Sequence, residues 1–543
     1  MIPFKAPTED ILFALSVTCD ENHAAEHGFD AEITREILDH FARFAEDVIA
    51  PIDEPGDQEG CRIENGRVRM PSGFSDAYQA YVEQGWQAIS LAEEFDGQGA
   101  PATVCGAISE ILAGACHSFQ MVTGLVPGAA RLIAKFGTDE QRHAWLPKLA
   151  SGSHLATMCL TEPQAGSDLS DIRTVATQQE DGSWVLSGEK IFISGGDQDL
   201  SDEILHLVLA RTGTREDGVR GLTLFLCPSH SSENDRNAVT VTRIEEKMGL
   251  HASPTCQLAF DGATATPIGP IGKGLMCMFT MMNHARLDVA LQGVAHAARA
   301  HQIAQSYAAE RKQGRDRTSG QPIAIDQHHD VARQLARQDM LAMTGRLMAY
   351  KTFALMETDT HSDLVEFLTP ICKSFCTDAG VEAAHIGIQV LGGYGYLREY
   401  RVEQTLRDAR ICQIYEGTNG IHALTLAGRL TRHKDGASAK AFDAWIGELL
   451  AASNSDITLA TELLEHWRQM TSEITTSDTR EKFAHDYMQI SAATYGVAIW
   501  SELAGRLSAS QSTRYQACLD QAREWGAVAL ATSKARNAFT SPN

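Results

Sequence analysis

Proline is scarce, 16 in 543 residues, and the 44 glycines show no triplet period, which excludes collagen-like and low-complexity chains. Cysteine numbers 12, yet no CxxC occurs, and the closest pair, Cys372 and Cys376, lies one helical turn apart. No histidine cluster accompanies them at zinc-ligand spacing. They read as reduced, mostly buried thiols in a reducing compartment, with no metal site. No stretch approaches the roughly 18–20 uninterrupted apolar residues of a membrane span. Residues 1–20 hold Glu9, Asp10 and Asp20 and no basic region ahead of an apolar core, so neither a secretory signal nor an Arg-rich transit peptide is expected. Positive charge is in short supply, with 46 Lys and Arg against 70 Asp and Glu, a net −24. A field of that sign repels phosphate backbones and excludes general nucleic-acid binding, while a local basic patch can still hold a small phosphorylated ligand. A soluble cytoplasmic protein is the expectation.

What is present is ordinary globular material, 43% apolar and 21% charged. The length corresponds to about three to four domains. The first third has helical texture. Ile33, Ile37, Phe41, Phe44, Val48 and Ile49 recur at three- and four-residue spacing, and Pro51 is expected to end that helix. Near Ala156 the texture changes to short apolar runs punctuated by turn residues: Trp184–Leu186 before Ser187-Gly188, Leu205–Leu209, and Leu222–Leu226 before Pro228. Helical texture returns over Met276–Glu310, Val331–Thr358 and Leu364–Leu391, with polar breaks at 311–321 and 432–440. A helical tail follows, including an amphipathic stretch around Tyr487–Trp500. The order predicts an α+β chain with a β block between helical domains. The expected divisions are 1–155 (helical), 156–274 (β), 275–432 (helical bundle) and 440–543 (an additional helical domain).

Four segments carry chemistry. In Met158-Cys159-Leu160-Thr161-Glu162-Pro163-Gln164-Ala165-Gly166-Ser167-Asp168, an apolar run leads into a hydroxyl-bearing small-residue loop. It is either a capped strand end or a cradle of N–H and hydroxyl groups for a polar ligand edge. Lys190-Ile191-Phe192-Ile193-Ser194-Gly195-Gly196 is either a buried strand end or an aromatic platform for a planar cofactor. Leu391-Gly392-Gly393-Tyr394-Gly395-Tyr396 follows a helix rather than a strand, so it is not a dinucleotide fingerprint. It is either a plain turn or a place of close backbone approach. In the last segment, from Arg407 to Gly420, Glu416 follows an apolar run and precedes Gly417. It is either an acid near a helix N-terminus or a carboxylate with a raised pKa acting as general base.

In this order and spacing, the four segments resemble the acyl-CoA dehydrogenase family from the first helices to about Arg429. The segment Phe4–Leu12 and the tail after Lys440 resemble a bacterial subgroup that includes 3-methylmercaptopropionyl-CoA dehydrogenases. The resemblance implies the acyl-CoA dehydrogenase fold: an N-terminal helical domain, a middle β-barrel-like domain, a C-terminal four-helix bundle and, in the subgroup, an extra helical domain. It implies FAD as cofactor and α,β-desaturation of a short- or medium-chain acyl-CoA thioester as the reaction. Glu416, in an IYEGT motif, matches the base. Asn283-His284-Ala285-Arg286-Leu287, where some relatives place the base, has no carboxylate.

For FAD, the resemblance assigns Met158, Leu160, Thr161, Phe192 and Ser194 to the flavin, the last two standing where the family usually has Trp and Thr. Ser167 matches a position between the flavin phosphates and pantetheine, and Thr418 a phosphate contact. Arg311 matches a pyrophosphate arginine, although Arg-x-x-Phe-Gly is shortened here to Arg311-Lys312-Gln313-Gly314. Gln389, Gly392 and Gly393 match a segment meeting the adenosine half of a neighbouring subunit's FAD, which implies a homodimer or dimer of dimers. Asn283, where the family often has Asp, together with Arg286, Gly417 and Ser167, is assigned to the acyl-CoA. Electron transfer flavoprotein is the implied acceptor. The alternatives are an acyl-CoA oxidase, or a flavin-binding paralogue without dehydrogenase activity such as the DNA-associated relative.

Overall fold

The structure is a computed structural model and describes residues 2–19, 28–232, 235–504, 506–507 and 512–540. The chain divides into two compact units, His40–Ala285 and Met1–Asp39 with Arg286–Asn543.

The unit His40–Ala285 begins with helices. The helix Ala31–Phe44 does not stop at Pro51. It passes through a π turn, Ala45–Ile49, and continues as Ala50–Glu59 with Pro51 in its first turn. The wider π turn resets the hydrogen-bond register, so the N–H that proline lacks would have had no partner there in any case. The helix Ala102–Thr123 is long and apolar enough to cross a membrane by composition, but it is mostly buried within the protein. The helix Asp139–Ala150 starts with a full capping box between Thr138 and Gln141.

Among the described residues, the strands of this unit are, in sequence order, β1 (Arg62–Glu64), β2 (Arg67–Arg69), β3 (His154–Cys159), β4 (Val175–Gln178), β5 (Trp184–Ser194), β6 (Glu203–Arg211), β7 (Leu222–Pro228), β8 (His230–Ser232), β9 (Asp235–Arg236), β10 (Val239–Ile244) and β11 (Thr255–Ile268). The main sheet runs β10-β11-β5-β4-β6-β3, and β7 pairs with both β6 and β11. The path β11-β5-β4-β6-β7 therefore closes on itself in a barrel-like ring. Leu186, Ile193, Val208, Phe225, Leu258 and Phe260 fill its core, each worth roughly 1.5–3 kcal/mol of burial.

Ser187-Gly188 does not end a strand, because β5 runs straight through it. Gly188 has φ +149, and a Cβ there would lie 2.6 Å from the Thr174 hydroxyl. This glycine marks close approach of a neighbouring segment, not a turn. The turn lies earlier, at Asp181-Gly182-Ser183, where Asp181 accepts from the Ser183 N–H and hydroxyl.

The second unit is helical. Long helices Gly274–Glu310, His329–Glu357 and Ser362–Leu391 carry it. The polar break at 311–321 is a small hairpin of β12 (Lys312–Arg315) and β13 (Pro322–Ala324). The break at 432–440 is short, since a helix already starts at Ala437. The N-terminal helix Thr8–Thr18 and the tail helices Ala484–Ala504 and Ser512–Thr540 all pack on His329–Glu357. The expected amphipathic stretch 487–500 is instead buried on every face, with Tyr487, Tyr495 and Trp500 all inaccessible. Its polar atoms find partners inside: the Trp500 indole N–H donates to Thr344 and the Tyr495 hydroxyl to the Met348 carbonyl. A helix surrounded by neighbours has no wet face to declare. All 12 cysteines are free thiols and most are buried.

Candidate active site

Glu416 sits on a strained loop. Its φ is +54°, and Gly417 beside it has φ +90°. Such backbone is costly for a residue with a Cβ and persists only where the surroundings enforce it. Gly417 must be glycine, because a Cβ would lie 3.0 Å from the His422 ring. Thr418 then caps the helix Asn419–Thr425, its hydroxyl accepting from the Ile421 N–H at 3.2 Å.

Consecutive carbonyls of this loop are clamped. The His422 Nε2–H donates to the Glu416 carbonyl at 2.9 Å. Burial holds the His422 pKa down to about 3, helped by the cations Arg286 and Lys373, so the ring is neutral. The buried Lys373 ammonium, on Ser362–Leu391, donates to the Gly417 carbonyl at 2.8 Å and to Asn419 Oδ1 at 2.9 Å. Asn419 in turn donates to Asp378 at 2.8 Å, which also accepts from Gln413 at 2.6 Å. The Tyr415 hydroxyl donates to the Gln292 side-chain carbonyl.

The Glu416 carboxyl is pushed above the usual carboxylate range by burial, with Arg286 and then Lys373 opposing that rise. A basic carboxylate beside two cations, in low dielectric, is suited to removing a proton from a weak carbon acid.

Met158, Leu160, Thr161, Phe192 and Ser194 come together at the ends of β3 and β5. The Ile191 N–H donates to the Thr161 carbonyl at 2.9 Å. Beneath them lies a buried ion pair. The Lys190 ammonium donates to Glu162 at 2.8 Å and to the Leu160 carbonyl at 2.9 Å. Glu162 also accepts from the Arg173 and Thr174 N–H groups at 2.7 and 3.0 Å. Burial alone would raise the Glu162 carboxyl, but Lys190 and these donors outweigh it and hold it at about 2. Above this ion pair, Phe192 takes φ +59° and is 61% exposed. Ser194 pairs with Thr255 at the strand end. Ser167 is exposed on the loop beyond the tight Glu162–Ala165 bridge.

A third group forms where the hairpin meets the turn 392–396. The Arg311 guanidinium lies 5.8 Å from the centre of the Tyr394 ring. Gln389, Gly392 and Gly393 are exposed, and a Cβ on either glycine would meet nothing within 4 Å. An arginine beside an open glycine shelf suits a pyrophosphate, and an outward aromatic ring among hydroxyls suits a flavin. The residues present fit FAD. Arg286 is tied electrostatically to Glu416, and Asn283 is an exposed helix position.

Sequence reasoning missed the two buried lysines, Lys373 and Lys190, and the carbonyl clamp of His422. Lys373 had a signal: it is the only Lys or Arg between Leu364 and Leu391, set among Ile371, Cys372 and Phe375. A lone cation in an apolar helix face needs a partner.

Three family models match consecutively. They are the acyl-CoA dehydrogenase N-terminal domain at residues 31–153, the middle domain at 157–263 and the C-terminal domain at 272–431. The chain is 40% identical to 3-methylmercaptopropionyl-CoA dehydrogenase of Ruegeria pomeroyi over 84% of its own length and 80% of that protein's. It is 32% identical to the broad-specificity linear acyl-CoA dehydrogenase FadE5 of Mycobacterium tuberculosis over 78% and 74%. Its fold matches Caenorhabditis elegans ACDH-11, solved in complex with C11-CoA, with a TM-score of 0.82 at 20% identity, over 96% of this chain and 91% of that one. With its three domain models in order and a relative this similar along most of both chains, the protein belongs to the acyl-CoA dehydrogenase family of FAD-dependent oxidoreductases.

Proposed function

We propose that the protein desaturates a short- or medium-chain acyl-CoA thioester between Cα and Cβ, with Glu416 as the base and 3-methylmercaptopropionyl-CoA as the first substrate to test. The observation that carries this reading is the Glu416 carboxyl, raised by burial and flanked by Arg286 and Lys373 on a strained, doubly clamped loop.

Glu416, ionised, takes the α-proton. Burial strengthens it as a base, and the two cations keep its ionised form accessible. The Glu416 N–H is the candidate donor to the thioester carbonyl, acting where enolate charge develops. Bound FAD supplies the acceptor for the β-hydrogen and its electron pair. Met158, Leu160, Thr161, Phe192 and Ser194 hold the flavin ring. Ser167, Thr418 and Arg311 hold its phosphates. Gln389, Gly392 and Gly393 form the shelf for the adenosine half of a neighbouring subunit's FAD, and Asn283, Arg286, Gly417 and Ser167 contact the acyl-CoA. On this reading the chain is a cytoplasmic homodimer, divided at 1–155, 156–274, 275–432 and 440–543. It hands its electron pair to electron transfer flavoprotein.

The test is anaerobic titration of the purified flavoprotein with a series of acyl-CoA thioesters, followed in the visible spectrum. Bleaching selective for one chain length is expected, and its rate should fall by about 10²–10⁴ in Glu416→Gln. Undiminished bleaching in that variant refutes Glu416 as base. Reoxidation by oxygen faster than by electron transfer flavoprotein identifies an oxidase instead.

A further inference from the structure

Lys373 has no place in the mechanism above except as a neighbouring charge, yet its position is unusual. It is a fully buried ammonium in the middle of its helix, on a face shared with Pro370 and Cys376 and with the buried threonines Thr369 and Thr377. It reaches out of that helix to the loop that carries Glu416. It donates to the Gly417 carbonyl at 2.8 Å and to Asn419 Oδ1 at 2.9 Å. Asn419 is itself held, donating to Asp378 at 2.8 Å and to the Thr377 hydroxyl at 3.0 Å. The Glu416 carbonyl one residue earlier is held by His422. Two successive peptide planes are thus fixed, one by a neutral ring and one by a cation. Both residues between these clamps have positive φ, a geometry that an unclamped loop would leave.

We propose that Lys373 is a positioning residue for Glu416, gripping the Gly417 carbonyl so that the base keeps its strained backbone and keeps a fixed positive charge beside its carboxylate. The inference rests on Glu416 being the base. Lysine suits the task because one ammonium can donate to two acceptors and carry charge at once.

The pH consequences follow from the groups around Glu416. Arg286 faces it from Gly274–Glu310, Lys373 from Ser362–Leu391 and His422 from Asn419–Thr425. Tyr415 and Cys412 lie on its own segment, with Asp378 behind Asn419 and Arg429 acting on Arg286. His422 is neutral, and burial pushes the Cys412 thiol up to about 12 and the Tyr415 phenol well above its ordinary value. Burial lowers the Lys373 ammonium to about 8, with Cys412, Glu416 and Asp378 opposing. Raising pH therefore first ionises Glu416, switching activity on. It then neutralises Lys373, releasing the clamp.

The experiment measures kcat, KM and the pH profile for wild type, Lys373→Met, Lys373→Arg and Glu416→Gln, with bound flavin and Tm recorded for each. In Lys373→Met, kcat should fall tenfold or more with KM within about twofold, and the acidic limb should move to higher pH. Lys373→Arg should hold the acidic limb at its wild-type position and abolish the fall above pH 8, because a guanidinium does not deprotonate there. If Lys373→Met does not fold, Lys373→Arg alone decides, since a wild-type alkaline limb in that variant overturns the proposal. An unmoved acidic limb in Lys373→Met also overturns it, as do losses in both variants that simply track lost flavin and Tm. Full activity in Glu416→Gln would instead overturn the reading of the base.

Discussion

Lys190 and Glu162 show what a single buried charge does in this fold. Both are essentially inaccessible, and each satisfies the other. Together they hold the Leu160 carbonyl and the Arg173-Thr174 backbone in place. Removing one partner strands the other. Lys190→Met should destabilise the protein by about 3–5 kcal/mol, read as a lower denaturant midpoint at pH 7, whereas Lys190→Met with Glu162→Leu should recover much of the loss. If the double variant is as unstable as the single, the pair does more than neutralise itself. The pH dependence has a definite sign. The Glu162 pKa in the folded state is depressed from 4.5 to about 2. Its contribution is therefore full above 4.5 and disappears as pH falls toward 2.

Among the helices, the decisive contacts are between backbones. A Cβ at Gly293 would lie 2.2 Å from the Cys376 carbonyl, and one at Gly380 would lie 2.7 Å from the Gly293 carbonyl. The helices Gly274–Glu310 and Ser362–Leu391 meet there with no side chain between them. Gly293→Ala must push two helices apart, and a loss of about 1–3 kcal/mol or more is expected. Gly447, inside Ala437–Ala452, has nothing within 4 Å of its missing Cβ. Gly447→Ala should therefore stabilise by about 0.4–1 kcal/mol. Thermal unfolding of both variants checks the contrast, and shifts of the same sign would contradict it. The two glycines look alike in sequence, and this limits what sequence reveals. Helix positions such as Phe41, Phe44 and Ile49 announce themselves by spacing, because one face must meet the core, although Ile33 at the start of the same stripe is exposed. Pro51, Gly188 and the stretch 487–500 misled for a common reason. Each was judged on its own segment, while its environment was set by a π turn, by Thr174 and by surrounding helices respectively. Glu416, Arg311 and Phe192 were assigned through the resemblance of their segments to the family, because chemistry demands particular side chains at particular spacing. Lys373 left a trace as a lone cation, but its role and that of His422 were not legible, because both act on backbone carbonyls that carry no sequence signature.

Across the whole molecule, two effects of acid compete. Lowering the pH toward the pI of about 5.2 discharges a net −24 and relieves self-repulsion, which by itself favours the folded state. Against this stand histidines buried as neutral rings in both units. Burial holds His206 at about 4, hydrogen-bonded to Thr157 at 2.7 Å, and holds His296 at about 4 and His422 at about 3. The unfolded chain takes up these protons below about 6.5, while the folded chain refuses them until about 4. Stability contributed by the neutral rings is therefore intact above 6.5 and is lost as pH falls through that window. His206 and His296 each forfeit about 2 kcal/mol by pH 5.2 and about 3 kcal/mol by pH 4. Against a total of about 5–15 kcal/mol for a typical domain, losses of that size outweigh relief of a diffuse, salt-screened surface repulsion. Urea midpoints measured at pH 7.5, 5.2 and 4.5 in constant salt should fall at each step, in the transition of either unit. His206→Gln should flatten the fall for the β-rich unit alone. A midpoint that peaks at the pI would mean that surface charge, not buried imidazole, governs how this protein responds to acid.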